Sequence, residues 1–181
     1  NVMDYVTIAT VGDATDFGDM SAGKNNIACF GSTTRGVING GYSGSVINVI
    51  EYITILSTGN TTDFGDLSSV RSGFAGASSS TRGVVAGGAS PSVVNTMEYV
   101  TIASTGNATD FGDLTSARGN IKCSASNKTL AIFGGGRTPS DVSTTDRINI
   151  ASTGNGTTYG DILTAGGYNQ SSSSTGHGGL A

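Results

Sequence analysis

Along residues 93 to 103, Val94, Thr96, Glu98, Val100 and Ile102 alternate with Asn95, Met97, Tyr99 and Thr101. β-Branched and aromatic side chains at period two predict a strand with two unlike faces. Upstream, residues 81–88 form a short apolar run closed by Gly87-Gly88, and residues 71–80 are small apart from Arg71 and Phe74. Downstream, Ser104-Thr105-Gly106-Asn107 reads as a turn, because Gly and Asn tolerate positive φ. Residues 109–114 then read as another strand, carrying Phe111. The predicted unit is an up-and-down sheet of four strands over residues 71–114. No helical periodicity survives in the chain.

This unit is repeated. Gly-Asn-Ala-Thr-Asp-Phe-Gly-Asp-Leu at 106–114 has counterparts at 12–20 and 59–67, and a worn copy at 154–162. The opening residues Asp16, Asp63, Asp110 and Thr158 are spaced by 47, 47 and 48, and a fixed period in the forties marks a repeat architecture. One small sheet cannot bury both faces alone, so its neighbours must cover it. The first strand is the poorest in bulk: Ala75 to Ser78 in one copy, Ser124 and Ala125 in the next, four serines at 171–174 in the last. Blades set radially crowd their innermost strands around a central channel, and small side chains suit that taper. Tyr99 and Phe111 would lie farther out, where the space between blades widens. The pattern predicts an all-β fold, a β-propeller of four-stranded blades forming a single domain over residues 1–181; a flat stacked solenoid is the rival. Full blades fall at 24–67, 71–114 and 118–162. The half blades 1–20 and 166–181 are complementary, and pairing them in one sheet would give a fourth blade and remove exposed edges. The alternative is a segment of a larger propeller or a longer array. Residue 1 is Asn and no leader pattern is present, which implies a processed chain or a part of something longer.

Several repeated residues carry a family resemblance. Arg71 and Arg118 precede strand one, Gly pairs close strand two (Gly40-Gly41, Gly87-Gly88, Gly134-Gly135), and Tyr5, Tyr52 and Tyr99 lie in strand three. Phe17, Phe64, Phe111 and Tyr159 supply an aromatic in strand four. This pattern resembles the kelch repeat over the whole chain, with Phe or Tyr where kelch sequences usually have Trp, and with Arg147 at the tyrosine position of the last copy. The wording Glu-Tyr-Val-Thr-Ile-Ala-Ser-Thr-Gly-Asn-Ala-Thr-Asp-Phe-Gly-Asp-Leu is, more narrowly, similar to tandem arrays in structural proteins of phages that infect marine bacteria, cyanobacteria included. That resemblance implies a role in a virion or appendage.

Composition narrows the partners. Only 12% of residues are charged, and the net charge is −4. Nine basic residues scattered singly make no patch to neutralise a phosphate backbone, so nucleic acid is not an expected partner. No apolar run approaches the roughly 20 residues of a membrane-spanning helix. Gly is 29 of 181 residues, a bias that also suits disorder, but the β-branched residues recur at one phase of every repeat. The glycines therefore read as turn and close-packing glycines. Cys29 and Cys123 each lie thirteen residues after the opening Asp of their repeat, with Gly76 between them in the second copy. They are expected to be equivalent, buried and unpaired, since sites two repeats apart seldom meet the roughly 7 Å Cα separation of a disulfide.

Catalytic signals are weak. Asp-Phe-Gly recurs on predicted strands without a phosphate loop or lysine partner, against a kinase reading. Asp13, Asp16 and Asp19, with their counterparts Asn60/Asp63/Asp66 and Asn107/Asp110/Asp113, invite calcium, but an extended strand spreads these oxygens too far for a hard cation. Asx turns and local backbone bonding explain them more simply. Glycosylation sequons at Asn60, Asn107, Asn127, Asn155 and Asn169 read as turn residues for the same reason. His177 has only glycine neighbours, and the acids Asp4, Glu51, Glu98 and Asp146 recur as symmetry-related positions, so neither builds a triad or a zinc set. The expectation is no enzyme, no cofactor and no metal.

A binding surface should lie where repeats differ. The loop after the Gly pair varies most, at residues 42–45, 89–92 and 136–139, and loops on a rigid scaffold are common recognition sites. Tyr42 and Arg137 are the expected contacts, with Arg35 and Arg82 the other arginines, in places that look inequivalent. The expected role is a non-enzymatic structural or adhesive repeat protein of a virion or extracellular surface. Its partners would be other virion or fibre proteins or copies of itself, and a host-surface glycan or protein, with no membrane insertion. An intracellular kelch-type adaptor is the alternative; such adaptors tend to line one face with several arginines.

Overall fold

The computed structural model describes residues 1–121 and 123–165, and every regular element among them is a β-strand. β1 (Val2–Tyr5) and β2 (Thr15–Asp19) form an antiparallel pair. β3 (Ala28–Gly31), β4 (Arg35–Tyr42), β5 (Val46–Thr54) and β6 (Thr62–Asp66) form the first four-stranded sheet. β7 (Ala75–Ser78), β8 (Arg82–Ala86), β9 (Thr96–Thr101) and β10 (Thr109–Asp113) form the second. The third holds β11 (Cys123–Ser126) and β12 (Leu130–Gly134), then, after a small ribbon of β13 (Arg137–Thr138) and β14 (Ser140–Asp141), β15 (Thr144–Asn149) and β16 (Thr157–Asp161). All three sheets are antiparallel with strands in chain order, which is the expected up-and-down unit. The half blade expected at 166–181, with His177, Asn169 and the four serines, lies outside the described residues.

The fourth strand is bulged at the same place in every repeat. Across β9 and β10 the register runs from Met97↔Gly112 to Glu98↔Asp110, skipping Phe111. The same skip passes over Phe17, Phe64 and Tyr159. A bulge leaves one residue unpaired and sharpens the local twist, and here it turns Phe17, Phe64 and Phe111 into the protein, where each is buried. Full burial of such a ring contributes roughly 1.5–3 kcal/mol. A tyrosine on strand three meets each phenylalanine edge to face, at 6.1, 5.9 and 6.1 Å between centroids for Tyr5–Phe17, Tyr52–Phe64 and Tyr99–Phe111.

The sheets stack so that the middle one separates two cores. One face of it, with Val84, Ala86, Met97 and Phe111, packs on Phe133, Ile148 and Ile150 of the third sheet. The other face, with Phe74, Val85, Val100 and Ile102, packs on Val37, Ile50 and Phe64 of the first. Both faces of the middle sheet are thus covered by its neighbours, as a small sheet in a repeat array requires. Neighbouring sheets also meet through their small-residue strands, β3 beside β7 and β7 beside β11. There Ser78 Oγ donates to Gly31 O (2.9 Å), Ser124 Oγ to Gly76 O (2.8 Å) and Ser126 Oγ to Ser78 O (2.9 Å).

One inserted residue corrects two expectations. Asn26, Gly73 and Asn120 share positive φ at matching positions, so the third repeat keeps the 47-residue spacing up to there. Cys123 then pairs with Gly134 as Ala28 pairs with Asn39 and Ala75 with Ala86. The extra residue therefore falls between Asn120 and Cys123. Cys123 corresponds to Ala28 and Ala75, and Cys29 corresponds to Gly76 and Ser124, because a one-residue slip in a strand exchanges its faces. Both cysteines are free, with Cys29 exposed and Cys123 half-buried instead of buried. By the same offset the third positive-φ glycine pair is Gly135-Gly136 (φ 65° and 108°), and Gly134 belongs to β12.

Candidate functional site

The residues that recur in every repeat converge on the junctions between sheets. The first component is a turn-and-bulge clasp. The segment before each fourth strand reaches back to the fourth strand of the preceding repeat. Gly59 N donates to Phe17 O (2.6 Å) and Thr61 N to Asp19 O (2.9 Å), while Asn60 Oδ1 accepts from Asp19 N at 3.0 Å. The pattern repeats with Gly106 to Phe64 O, Ala108 to Asp66 O and Asn107 Oδ1 on Asp66 N. It repeats again with Gly154 to Phe111 O, Gly156 to Asp113 O and Asn155 Oδ1 on Asp113 N. The glycine after the bulged aromatic makes room: a Cβ on Gly18, Gly65 or Gly112 would lie 2.3, 2.5 or 2.5 Å from the arriving glycine's backbone. Asn60, Asn107 and Asn155 are expected from sequence as turn residues with local bonding; the turn itself falls a few residues earlier, and these side chains instead accept from the preceding repeat and bridge sheets.

The second component is a buried ion pair in each sheet. Lys24 pairs with Glu51, Arg71 with Glu98, and Arg118 Nη2 with Asp146 Oδ2 at 2.9 Å. All three acids are at most 2% exposed. Each acid also accepts from the segment linking its sheet to the preceding one: Glu51 from Ser21 N (3.2 Å), Glu98 from Ser68 N (2.9 Å), Asp146 from Thr115 N (3.2 Å) and Thr115 Oγ1 (2.6 Å). Burial pushes the Glu51 carboxyl up, but hydrogen bonds from Lys24 and Ser21 and the Lys24 charge outweigh it and hold the group below its usual range. Burial pushes the Arg71 guanidinium down to about 10, which leaves it charged at neutral pH. Arg118 is pushed down by burial as well, against the pull of Asp146. Sequence reading picked out these arginines and acids separately; their matching repeat phase was the available signal that they pair.

Arg35 and Arg82 form the third component. They open β4 and β8 and are repeat equivalents, which corrects the reading that they sit in unlike places. Arg35 Nη1 donates to Ile102 O of the next sheet (2.9 Å) and stacks over Tyr52 at 4.5 Å. Arg82 Nη1 donates to Ile150 O and Ala151 O (both 3.0 Å) and stacks over Tyr99 at 4.3 Å. Tyr42 closes β4, and Arg137 opens β13 just beyond the end of β12. Each pairs with the segment ahead of strand one, Tyr42 with Asn25 and Arg137 with Gly119. Arg137 Nε also donates to Pro139 O (2.7 Å) and lies 4.0 Å from Asp141. The four residues expected to bind are therefore not gathered: two lie at one end of the strands, and two are held in junctions at the other.

Among the described residues, no group of three His, Cys, Asp or Glu side chains is placed to hold a metal ion. A scan against protein-family models finds no match for this chain, and a search of the curated proteins finds none.

Proposed function

We propose that this chain is a non-enzymatic structural repeat protein, a kelch-like β-propeller or a segment of one, carried on a virion or extracellular fibre. The observation behind this reading is where the repeated residues go. The Gly-Asn segment, the bulged aromatic and the following glycine serve contacts from sheet to sheet, and the arginine–acid pairs fasten each sheet to the segment that leads into it. Chemistry repeated at that density builds a scaffold, and the loops that differ between repeats are left for contacts. The adjacency of the small-residue strands, β3 to β7 to β11, favours sheets fanned around an axis. Tyr42 and Arg137, on the end away from Arg35 and Arg82, are the proposed contacts to a surface glycan or protein.

Two measurements test this. Class averages of the purified chain by electron microscopy should show sheets fanned about a centre; a straight stack overturns the propeller. Immunogold labelling of the producing cells and their released particles should mark an appendage or particle surface. Label confined to the cell interior would favour the kelch-type adaptor instead.

A further inference from the structure

Two Asn-Gly steps occur in the chain, Asn39-Gly40 and Asn155-Gly156. A glycine after asparagine leaves its own nitrogen unshielded by a side chain and its backbone free to turn, so that nitrogen can reach the asparagine amide carbon. The fold treats the two steps in opposite ways. Asn39 is 1% exposed in β4, and its Nδ2 donates to Ala28 O (3.2 Å). Asn155 is exposed, in the clasp that fastens the third sheet to β10. Asn60 and Asn107 are exposed in the other two clasps, so this exposure belongs to the clasp and not to the last sheet. What sets Asn155 apart is its successor, since Thr61 and Ala108 follow the other two. One residue holds both groups that would react: Asp113 N–H donates to Asn155 Oδ1 (3.0 Å), and Gly156 N–H donates to Asp113 O (2.7 Å).

We propose that Asn155 is a site of spontaneous deamidation gated by its clasp, which makes the joint between the second and third sheets slowly and irreversibly convertible by water. While the clasp is closed, the Gly156 proton is engaged by Asp113 O and the nitrogen is a poor nucleophile. Local opening frees it. Hydroxide then takes the Gly156 proton, the nitrogen attacks Asn155 Cγ, a C–N bond forms and the Cγ–Nδ2 bond breaks. The departing Nδ2 takes a proton from water, which returns the hydroxide, and leaves as ammonia. Water opens the resulting succinimide at either carbonyl, giving aspartate or isoaspartate at 155; nothing is oxidised or reduced. Aspartate keeps an acceptor for Asp113 N–H and adds a negative charge beside Asp113. Isoaspartate routes the main chain through the former side chain, and the added methylene carries Gly156 N–H away from Asp113 O. The inference stands on the clasp geometry, whether or not the array belongs to a virion and whether or not the sheets circle an axis.

Ageing the full chain in mildly alkaline buffer tests this, with conversion read by peptide mapping and electron-transfer fragmentation, which distinguishes isoaspartate. In the folded chain Asn155 should convert and Asn39 should not. In urea both should convert, and Asn155 faster than when folded. Gly112→Ala sets a Cβ 2.5 Å from Gly154 O and pushes the 154–156 segment off β10, so conversion of Asn155 should accelerate at least about fivefold. Gly65→Ala does the same to the Asn107 clasp and should leave the Asn155 rate within about twofold of wild type. Gly156→Ala recreates the Asn-Ala step of the Asn107 clasp, with no contact closer than 3.5 Å for the new Cβ, and should lower conversion to the level of Asn107. The aged chain, separated from fresh chain by its added charge on anion exchange, should unfold at lower urea. Equal conversion of Asn155 and Asn39 in the folded chain overturns the proposal, as does a folded-state rate at Asn155 equal to that in urea. Conversion undiminished by Gly156→Ala, a folded Gly112→Ala chain that converts no faster than wild type, or an aged chain as stable as the fresh one overturns it too.

Discussion

Arg71 and Glu98 are both about 1% exposed, and a charge so deeply placed is tolerable only beside its opposite. Glu98 also accepts from Ser68 N, and Arg71 Nη1 donates to the carbonyls of Gly87 (3.2 Å) and Thr96 (3.0 Å). The pair thus ties the linker, strand two and strand three of one repeat into a single polar knot. Removing one partner strands the other, so Glu98→Ala is expected to cost about 3–5 kcal/mol in urea unfolding. Replacing both by apolar residues of similar volume is expected to cost less than the single change. A double-mutant cycle on Arg71 and Glu98 reads the difference. Glu51 adds a pH signature. Its carboxyl titrates below the ordinary value of 4.5 in the fold, so it contributes stability above that value and loses it as pH falls through the folded pKa. Wild-type chain should therefore be more sensitive to acid below pH 4.5 than Glu51→Gln, as followed by thermal midpoints across the acid range.

At the scale of the element, the bulged fourth strand decides how repeats join. Gly65 and Gly160 occupy the same place in it, at φ 143° and 149°, so a Cβ strains the backbone equally at both. They differ in one respect, since Gly65 faces the backbone of Gly106 at 2.5 Å and Gly160 faces open space. Gly160→Ala should cost about 1–2 kcal/mol from strain alone. Gly65→Ala should cost about 1–3 kcal/mol more, because the segment carrying Asn107 must move away. Equal losses at the two sites would mean that the clasp carries no stability.

For the molecule as a whole, stacking makes each sheet depend on its neighbours. The middle sheet is covered on both faces, with Val84, Met97 and Phe111 on one side and Val85, Val100 and Ile102 on the other. The β1–β2 hairpin and β16 each have an uncovered side, shown by exposed Val2, Tyr5 and Tyr159. Stability in such arrays is close to a sum of unit and neighbour terms. Amide exchange should therefore be slowest in β8 and β9 and fastest in β1 and β16. Uniform protection across all sheets would contradict a chain of local couplings and point to one global unit.

The sequence by itself determined the period, the four-stranded unit and the all-strand character of the described residues, because each rests on local pattern: alternation for strands, Gly and Asn for turns, repetition for stacking. It also marked Arg71, Arg118, Glu51, Glu98 and Asp146 as special without showing that they pair, since partners 27 or 28 residues apart meet only once the sheet forms. Tertiary structure alone placed Cys123 opposite Gly134, because register is set by pairing across strands and a single inserted residue moves every later side chain to the other face. It alone decided that the Gly-Asn segment belongs energetically to the preceding repeat. Backbone donors look alike in any sequence, and only folding brings Gly106 within reach of Phe64.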